Sequence, residues 1–200
     1  MRKAIACVFL FVAPLLAQSH FDAPETAAAA TGPAFEASAG YAYFNMSTPA
    51  QRVGLTGLDA SALVKFDSHW GATVDALYAS TANVLGTGHS ANVFSFLAGP
   101  VYYPIVHGQT GLFIRALAGA SRVESAVPVS GPYYLTGWVA RPSYAVGGGV
   151  EQGIFSSLAI RVQADYQRTS FGDSAGAIQG QNDLRLSTSM VYRFGNHGSF

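Results

Sequence analysis

A single cysteine, Cys7, occurs in the 200 residues, and it lies within an apolar stretch at the start. Beyond it no disulfide can form, so covalent cross-links are excluded as the source of stability. Charge is scarce too, at 11% of the chain, with 11 basic residues against 11 acidic ones. If the first 19 residues are removed, Arg2 and Lys3 leave with them, and 9 basic residues face 11 acidic ones, a net charge of −2. With no basic field, a nucleic-acid partner is excluded. After residue 19 no run of 18 consecutive apolar residues exists, which excludes a membrane-spanning helix. Metal-ligand spacings, phosphate-cradling glycine loops and dinucleotide fingerprints are also missing, so no metal or cofactor is expected.

The opening MRKAIACVFLFVAPLLAQS has a basic start, an apolar run from Ala4 to Leu16 and small residues at Ala17 and Ser19. That order predicts a secretory signal peptide over 1–19. Residues 20–34, rich in alanine, read as a disordered periplasmic lead-in. The chain has positive mean hydropathy, yet beyond residue 34 it has neither disulfides nor apolar helices. A chain of that kind hides its hydrophobicity in alternation.

The segment 183–194, DLRLSTSMVYRF, shows this most clearly. Leu184, Leu186, Thr188, Met190, Tyr192 and Phe194 take one face, and Asp183, Arg185, Ser187, Ser189, Val191 and Arg193 the other. A period of two over twelve residues predicts a β-strand long enough to cross a bilayer at a tilt. Seven further strands are expected at 35–44, 57–66, 70–79, 92–102, 110–120, 141–151 and 158–168. Their connections alternate, long at 45–56, 80–91, 121–140 and 169–182, short at 67–69, 103–109 and 152–157. Long outer loops facing short inner turns predict an all-β fold, an eight-stranded antiparallel up-and-down transmembrane β-barrel over 35–194. A soluble β-sandwich is the alternative. The strand at 92–102 is apolar on both faces, and the strand holding Gly147, Gly148 and Gly149 has no determined register.

The motifs AGP at 98–100, GGG at 147–149, RVQADYQRTSF at 161–171 and LRLSTSMVYRF at 184–194 resemble the small outer-membrane β-barrel family, OmpA-like in its transmembrane domain and OmpX-like in size. The resemblance implies that Leu184, Leu186, Met190, Tyr192 and Phe194 form the signal read by the barrel assembly machinery. The tail GNHGSF at 195–200 departs from that pattern, because the aromatic residue usually ends the chain.

With polar faces turned inward, the lumen is expected to hold Glu36, Asp59, Asp75, Glu151 and Asp165 with Lys65, Arg115, Arg161, Arg185 and Arg193. An eight-stranded barrel has just enough interior for side chains, so these charges must pair. Balanced signs predict a salt-bridged plug, and a narrow or gated channel is the alternative. Interface girdles are expected from Tyr43, Phe44, Tyr78, Tyr166 and Phe171 at the outer edge. Phe66, Trp70, Tyr102, Tyr103, Tyr192 and Phe194 would form the inner one. Arg52, Arg122, Arg141 and Arg168 fall beside the outer loops. Arg141 and Arg168 are candidate contacts for lipid phosphates, including lipopolysaccharide.

The outer-side histidine His89 stands next to Ser90, but adjacency in sequence does not make a nucleophile–base pair. No catalytic residue is expected, and an enzyme acting on lipid or peptide ranks third. The apolar loop 121–140 either projects as a hairpin over 127–138 or folds across the mouth, the latter slightly preferred, and could take a surface ligand. The expectation is thus a monomeric, non-enzymatic outer-membrane protein serving envelope structure or adhesion.

Overall fold

The structure is a computed structural model that describes residues 34–47, 52–82, 90–125, 127–128, 134–135, 138–169 and 180–194. The expected signal peptide, most of the lead-in, the tail at 195–200, His89 and Phe171 lie outside these residues. Among these residues ten strands are present, in chain order β1 Ala34–Ser47, β2 Arg52–Lys65, β3 Trp70–Thr81, β4 Ala91–His107, β5 Thr110–Ser125, β6 Val127–Pro128, β7 Tyr134–Leu135, β8 Trp138–Phe155, β9 Leu158–Thr169 and β10 Gln181–Phe194. Eight of them close a barrel in the order β1-β10-β9-β8-β5-β4-β3-β2, and every neighbouring pair is antiparallel. This is an all-β, eight-stranded antiparallel barrel, not a sandwich.

Alternation decides which way each strand faces. In β9, Arg161, Gln163, Asp165, Gln167 and Thr169 are buried, while Ile160, Val162 and Tyr166 are exposed. The same holds around the barrel: among the described residues, 25 large apolar or aromatic side chains are exposed, including Leu58 at 67% and Val146 at 63%. A soluble monomer rarely leaves so continuous an apolar surface uncovered.

The strands run further than the sequence periodicity suggests. β1 and β2 stay paired as far as Ser47 and Arg52, so only residues 48–51 join them and most of the expected loop 45–56 is sheet. β4 and β5 are joined through Gly108 and Gln109, where Gly108 takes φ +58°, a left-handed conformation that glycine reaches at little cost. Near that turn the β4–β5 register shifts between Tyr102 and Ile105. The extra residue re-aims the strand end, so Val106 packs against the cluster of Leu63, Val101, Tyr103 and Phe113. The two undetermined strands have clear inward faces: Val93, Ser95, Leu97, Val101 and Tyr103 in β4, and Ser143, Ala145 and Glu151 in β8. β6 and β7 form a separate two-stranded ladder within the long loop.

Candidate functional site

The lumen is built in layers from the inward residues. At the end carrying the tight turns, Glu36 and Glu151 meet Lys65, Arg161 and Arg193. Lys65 Nζ is 2.8 Å from Glu36 Oε1, and Arg161 Nη2 donates to Glu36 Oε2 at 3.1 Å. Arg161 also donates to Glu151 through Nε at 3.0 Å and through Nη2, and Arg193 Nη2 donates to Glu151 Oε1 at 2.7 Å. Two aromatic rings cover the cations: the Lys65 ammonium lies 4.5 Å from the Tyr103 ring centre, and the Arg161 guanidinium 5.3 Å from that of Phe113. Such contacts add attraction where water is excluded.

The middle layer is a closed quartet. Arg115 grips Asp165 with two donors, at 2.9 and 2.6 Å, and reaches Asp75 at 3.1 Å. Arg185 donates to Asp165 at 2.9 Å and to both oxygens of Asp75, at 2.5 and 3.1 Å. Register explains half of this: Arg185 stands directly opposite Asp165, and Gly147 lies between Asp165 on β9 and Arg115 on β5. A Cβ at Gly147 would collide with the Asp165 carboxylate, so the glycine leaves room for the Arg115–Asp165 pair. Asp75 comes from β3, separated from β10 by two strands around the ring, and is bonded across the lumen.

Above the quartet the two walls differ. On one side Ala42, Phe44, Met46, Val53, Leu55, Leu77, Ala79, Ala91 and Val93 form an apolar core. On the other, the Gln167 amide nitrogen lies 3.1 Å from Ser95 Oγ and 2.9 Å from Ser121 Oγ and Ser143 Oγ. An amide has two hydrogens, so one of them is shared. Asp183 accepts from the Ser47 backbone N–H at 2.8 Å and the Thr169 hydroxyl at 3.0 Å, tying β1, β10 and β9 at the closing seam.

All ten charged residues assigned to the lumen from sequence are buried, and nine of them share the two ion-pair layers. Asp59 stands apart, accepting from Gln163 Nε2 at 3.4 Å. A search for charges alone misses Gln163 and Gln167, and Asp183 too was not among the candidates, although the period of two already puts all three on the inward face. Two girdle assignments are corrected. Phe44 is buried inside the apolar core and Tyr103 inside the lumen, because each sits on its strand's inward parity. Tyr43, Tyr78, Tyr166, Phe66, Trp70, Tyr192 and Phe194 are exposed on the outer surface.

Arg52, Arg122 and Arg168 are exposed on outward parities. Arg141 is exposed as well, but it stands opposite the buried Ser121 and so belongs to the mouth of the lumen. The outward residues of β10, Leu184, Leu186, Met190, Tyr192 and Phe194, are all exposed, and the last two rings meet edge to face at 4.8 Å. In the β2–β3 turn, Asp67 accepts from the N–H groups of His69 and Trp70, both at 2.7 Å, and those bonds hold its carboxyl below the ordinary 3.8. His69 Nδ1 lies 2.8 Å from Ser68 Oγ in the same exposed turn. Among the described residues no group of three or more His, Cys, Asp and Glu is placed to hold a metal ion.

No protein-family profile and no curated relative matches the sequence. Solved structures do match. Neisserial surface protein A aligns with a TM-score of 0.66 at 13% identity, over 82% of this chain and 99% of its own. Ail, the attachment invasion locus protein of Yersinia pestis, seen with the heparin analogue sucrose octasulfate, gives 0.56 at 16% identity, over 81% and 99%. The outer membrane protein OprG of Pseudomonas aeruginosa gives 0.52 at 11% identity, over 85% and 99%. At these identities the likeness is one of architecture: the chain has the fold of small eight-stranded outer-membrane barrels.

Proposed function

We propose that this chain is a non-enzymatic, integral outer-membrane β-barrel protein, OmpA-like in type, exported by its signal peptide and monomeric. Its lumen is closed by ion pairs, and it serves envelope structure or surface interaction through its outer loops. The observation that carries this reading is the inside-out distribution of residue types. Paired charges lie inside, and apolar side chains cover the exterior. In water, exposing a large apolar side chain forgoes about 1.5–3 kcal/mol each, a loss that lipid contact removes.

A plug is what the physics of the quartet favours. An ion crossing the lumen would have to separate guanidinium–carboxylate pairs in a low-dielectric interior, where breaking one pair costs about 3–5 kcal/mol. Conductance of the full chain, refolded in a planar bilayer after its heat-modifiable gel shift is verified, tests this. A silent bilayer is the expected outcome. Steady conductance would overturn the plug and make the protein a narrow channel.

The outer surface supplies the partners. Arg168, with Arg52 and Arg122, faces outward near the loop end of the strands, in reach of anionic headgroups such as lipopolysaccharide. Arg141, at the mouth, serves the same lipid or a surface ligand. Ail was seen with a polyanionic sugar analogue, and for this chain a surface ligand is proposed at the loop 121–140, which carries the β6–β7 ladder. The outward face of β10 is proposed as the signal for the assembly machinery. Replacing Arg168 and Arg141 together should lower lipopolysaccharide co-purification, and no change would remove the lipid assignment.

A further inference from the structure

The ten lumen charges assigned from sequence balance, five carboxylates against five cations, but not layer by layer, and Asp183 at the closing seam is a sixth buried carboxylate with its own two donors. The quartet of Asp75, Asp165, Arg115 and Arg185 is neutral within itself. The layer nearer the turns has three cations, Lys65, Arg161 and Arg193, for two carboxylates, Glu36 and Glu151. Of those ten, the remaining carboxylate is Asp59, only 2% exposed. It lies within electrostatic reach of Arg185, Asp75 and Arg115 but forms no ion pair among the described residues.

Its own Oδ1 lacks a hydrogen-bond partner among the described residues, and so do two oxygens on β9 and β10, Gln163 Oε1 and Ser189 Oγ, all on residues more than nine-tenths buried. Register puts the three residues on one stretch of the lumen wall. Gly40 stands directly between Asp59 on β2 and Ser189 on β10, so no side chain intervenes on that strand. Gln163 turns its Nε2 toward Asp59 Oδ2 at 3.4 Å and Ser187 Oγ at 2.8 Å, which leaves its carbonyl oxygen without a donor. A buried carboxylate without a counter-charge is costly, and so is a buried acceptor without a donor.

We propose that Asp59, Gln163 and Ser189 form a buried site for one monovalent alkali cation, Asp59 supplying the charge and the other two neutral oxygens. One uncompensated carboxylate matches one positive charge, whereas divalent sites are built from several carboxylates and carbonyls. A proton on Asp59 is the rival occupant, and the test separates the two. The site is separate from the plug. It holds whether or not the barrel conducts, because it depends on the Asp59 layer and not on the quartet.

The test uses the full chain in phosphatidylcholine vesicles, with thermal unfolding read from the gel-mobility shift. Sodium or potassium chloride replaces N-methylglucamine chloride at constant ionic strength. The midpoint should rise by roughly 5 °C over a hundredfold range of alkali cation spanning its dissociation constant. Asp59→Asn, which preserves shape, should abolish the rise. An equal rise in Asp59→Asn would reveal general screening and overturn the site. A wild-type midpoint blind to alkali cations, yet raised by acid in a way Asp59→Asn abolishes, would assign a proton and also overturn it. Ser189→Ala leaves every charge in place and serves even if Asp59→Asn does not fold. A response moved to higher cation concentration supports the site, and an unchanged one removes it.

Discussion

Arg185 shows how much of this molecule hangs on single side chains. Fully buried, it donates to Asp165 and to both oxygens of Asp75. Arg185→Met would leave two buried carboxylates sharing Arg115, and the expected loss is about 3–5 kcal/mol in urea unfolding. Gly147 acts by what it lacks. Gly147→Ala pushes a methyl group into the Asp165 carboxylate and the Ala164 carbonyl, and overpacking of that kind should cost about 1–3 kcal/mol by the same measurement. Asp67 acts at the exposed surface. Its folded-state pKa is depressed by two N–H donors, so its contribution to the turn is present above the ordinary 3.8 and is lost as pH falls through the lower folded value. Asp67→Asn should therefore flatten the acid side of a stability–pH profile below about pH 4.

At the scale of the element, closure depends on the β1–β10 seam, where the first and last strands of the barrel meet. Eleven residue pairs hold it, from Phe35 opposite Phe194 to Asn45 opposite Leu184, and Asp183 adds the bond to Ser47 just beyond. Asp183→Ala leaves the Ser47 N–H and the Thr169 hydroxyl without that acceptor, and about 1–3 kcal/mol of stability should be lost. The outward face of β10 is proposed to bear on assembly. Tyr192→Ser with Phe194→Ser should reduce folded protein in cells far more than refolding into vesicles, and an equal loss in both would make the aromatic end an ordinary packing contact.

On the scale of the whole molecule the governing fact is that its apolar surface faces out. Val146, 63% exposed, lies on the outer face of β8. Val146→Arg should cost about 2–4 kcal/mol in a lipid-refolded sample if it sits at mid-bilayer depth, against about 0–1 for an arginine near an interface. Equal costs at Val146 and at a loop-end position such as Ser80 would show that no apolar slab surrounds the barrel.

Alternation in the sequence is enough to predict eight strands, the ten buried charges and the faces of most strands, but not those of the strands at 92–102 and 141–151, whose inward sides only the structure shows. A strand's period of two is local, readable from any six residues without knowing the neighbours. It also contains Gln163, Gln167 and Asp183, which an inventory of paired mid-strand charges passes over. Strand ends are less legible, because pairing beyond the apolar band, as in the β1–β2 hairpin, is held by partner strands rather than by composition. The girdle assignments fail at Phe44 and Tyr103 for a related reason: proximity to a strand end is a weaker guide than parity, and parity decides. Partnership belongs to the tertiary structure alone. Which carboxylate meets which guanidinium depends on closure and stagger, which bring Asp75 across the lumen to Arg185 and leave Asp59 outside both ion-pair layers. Sequence fixes the side a residue faces, because that is a property of one strand. Only the closed barrel fixes what it faces, because that is set by all eight.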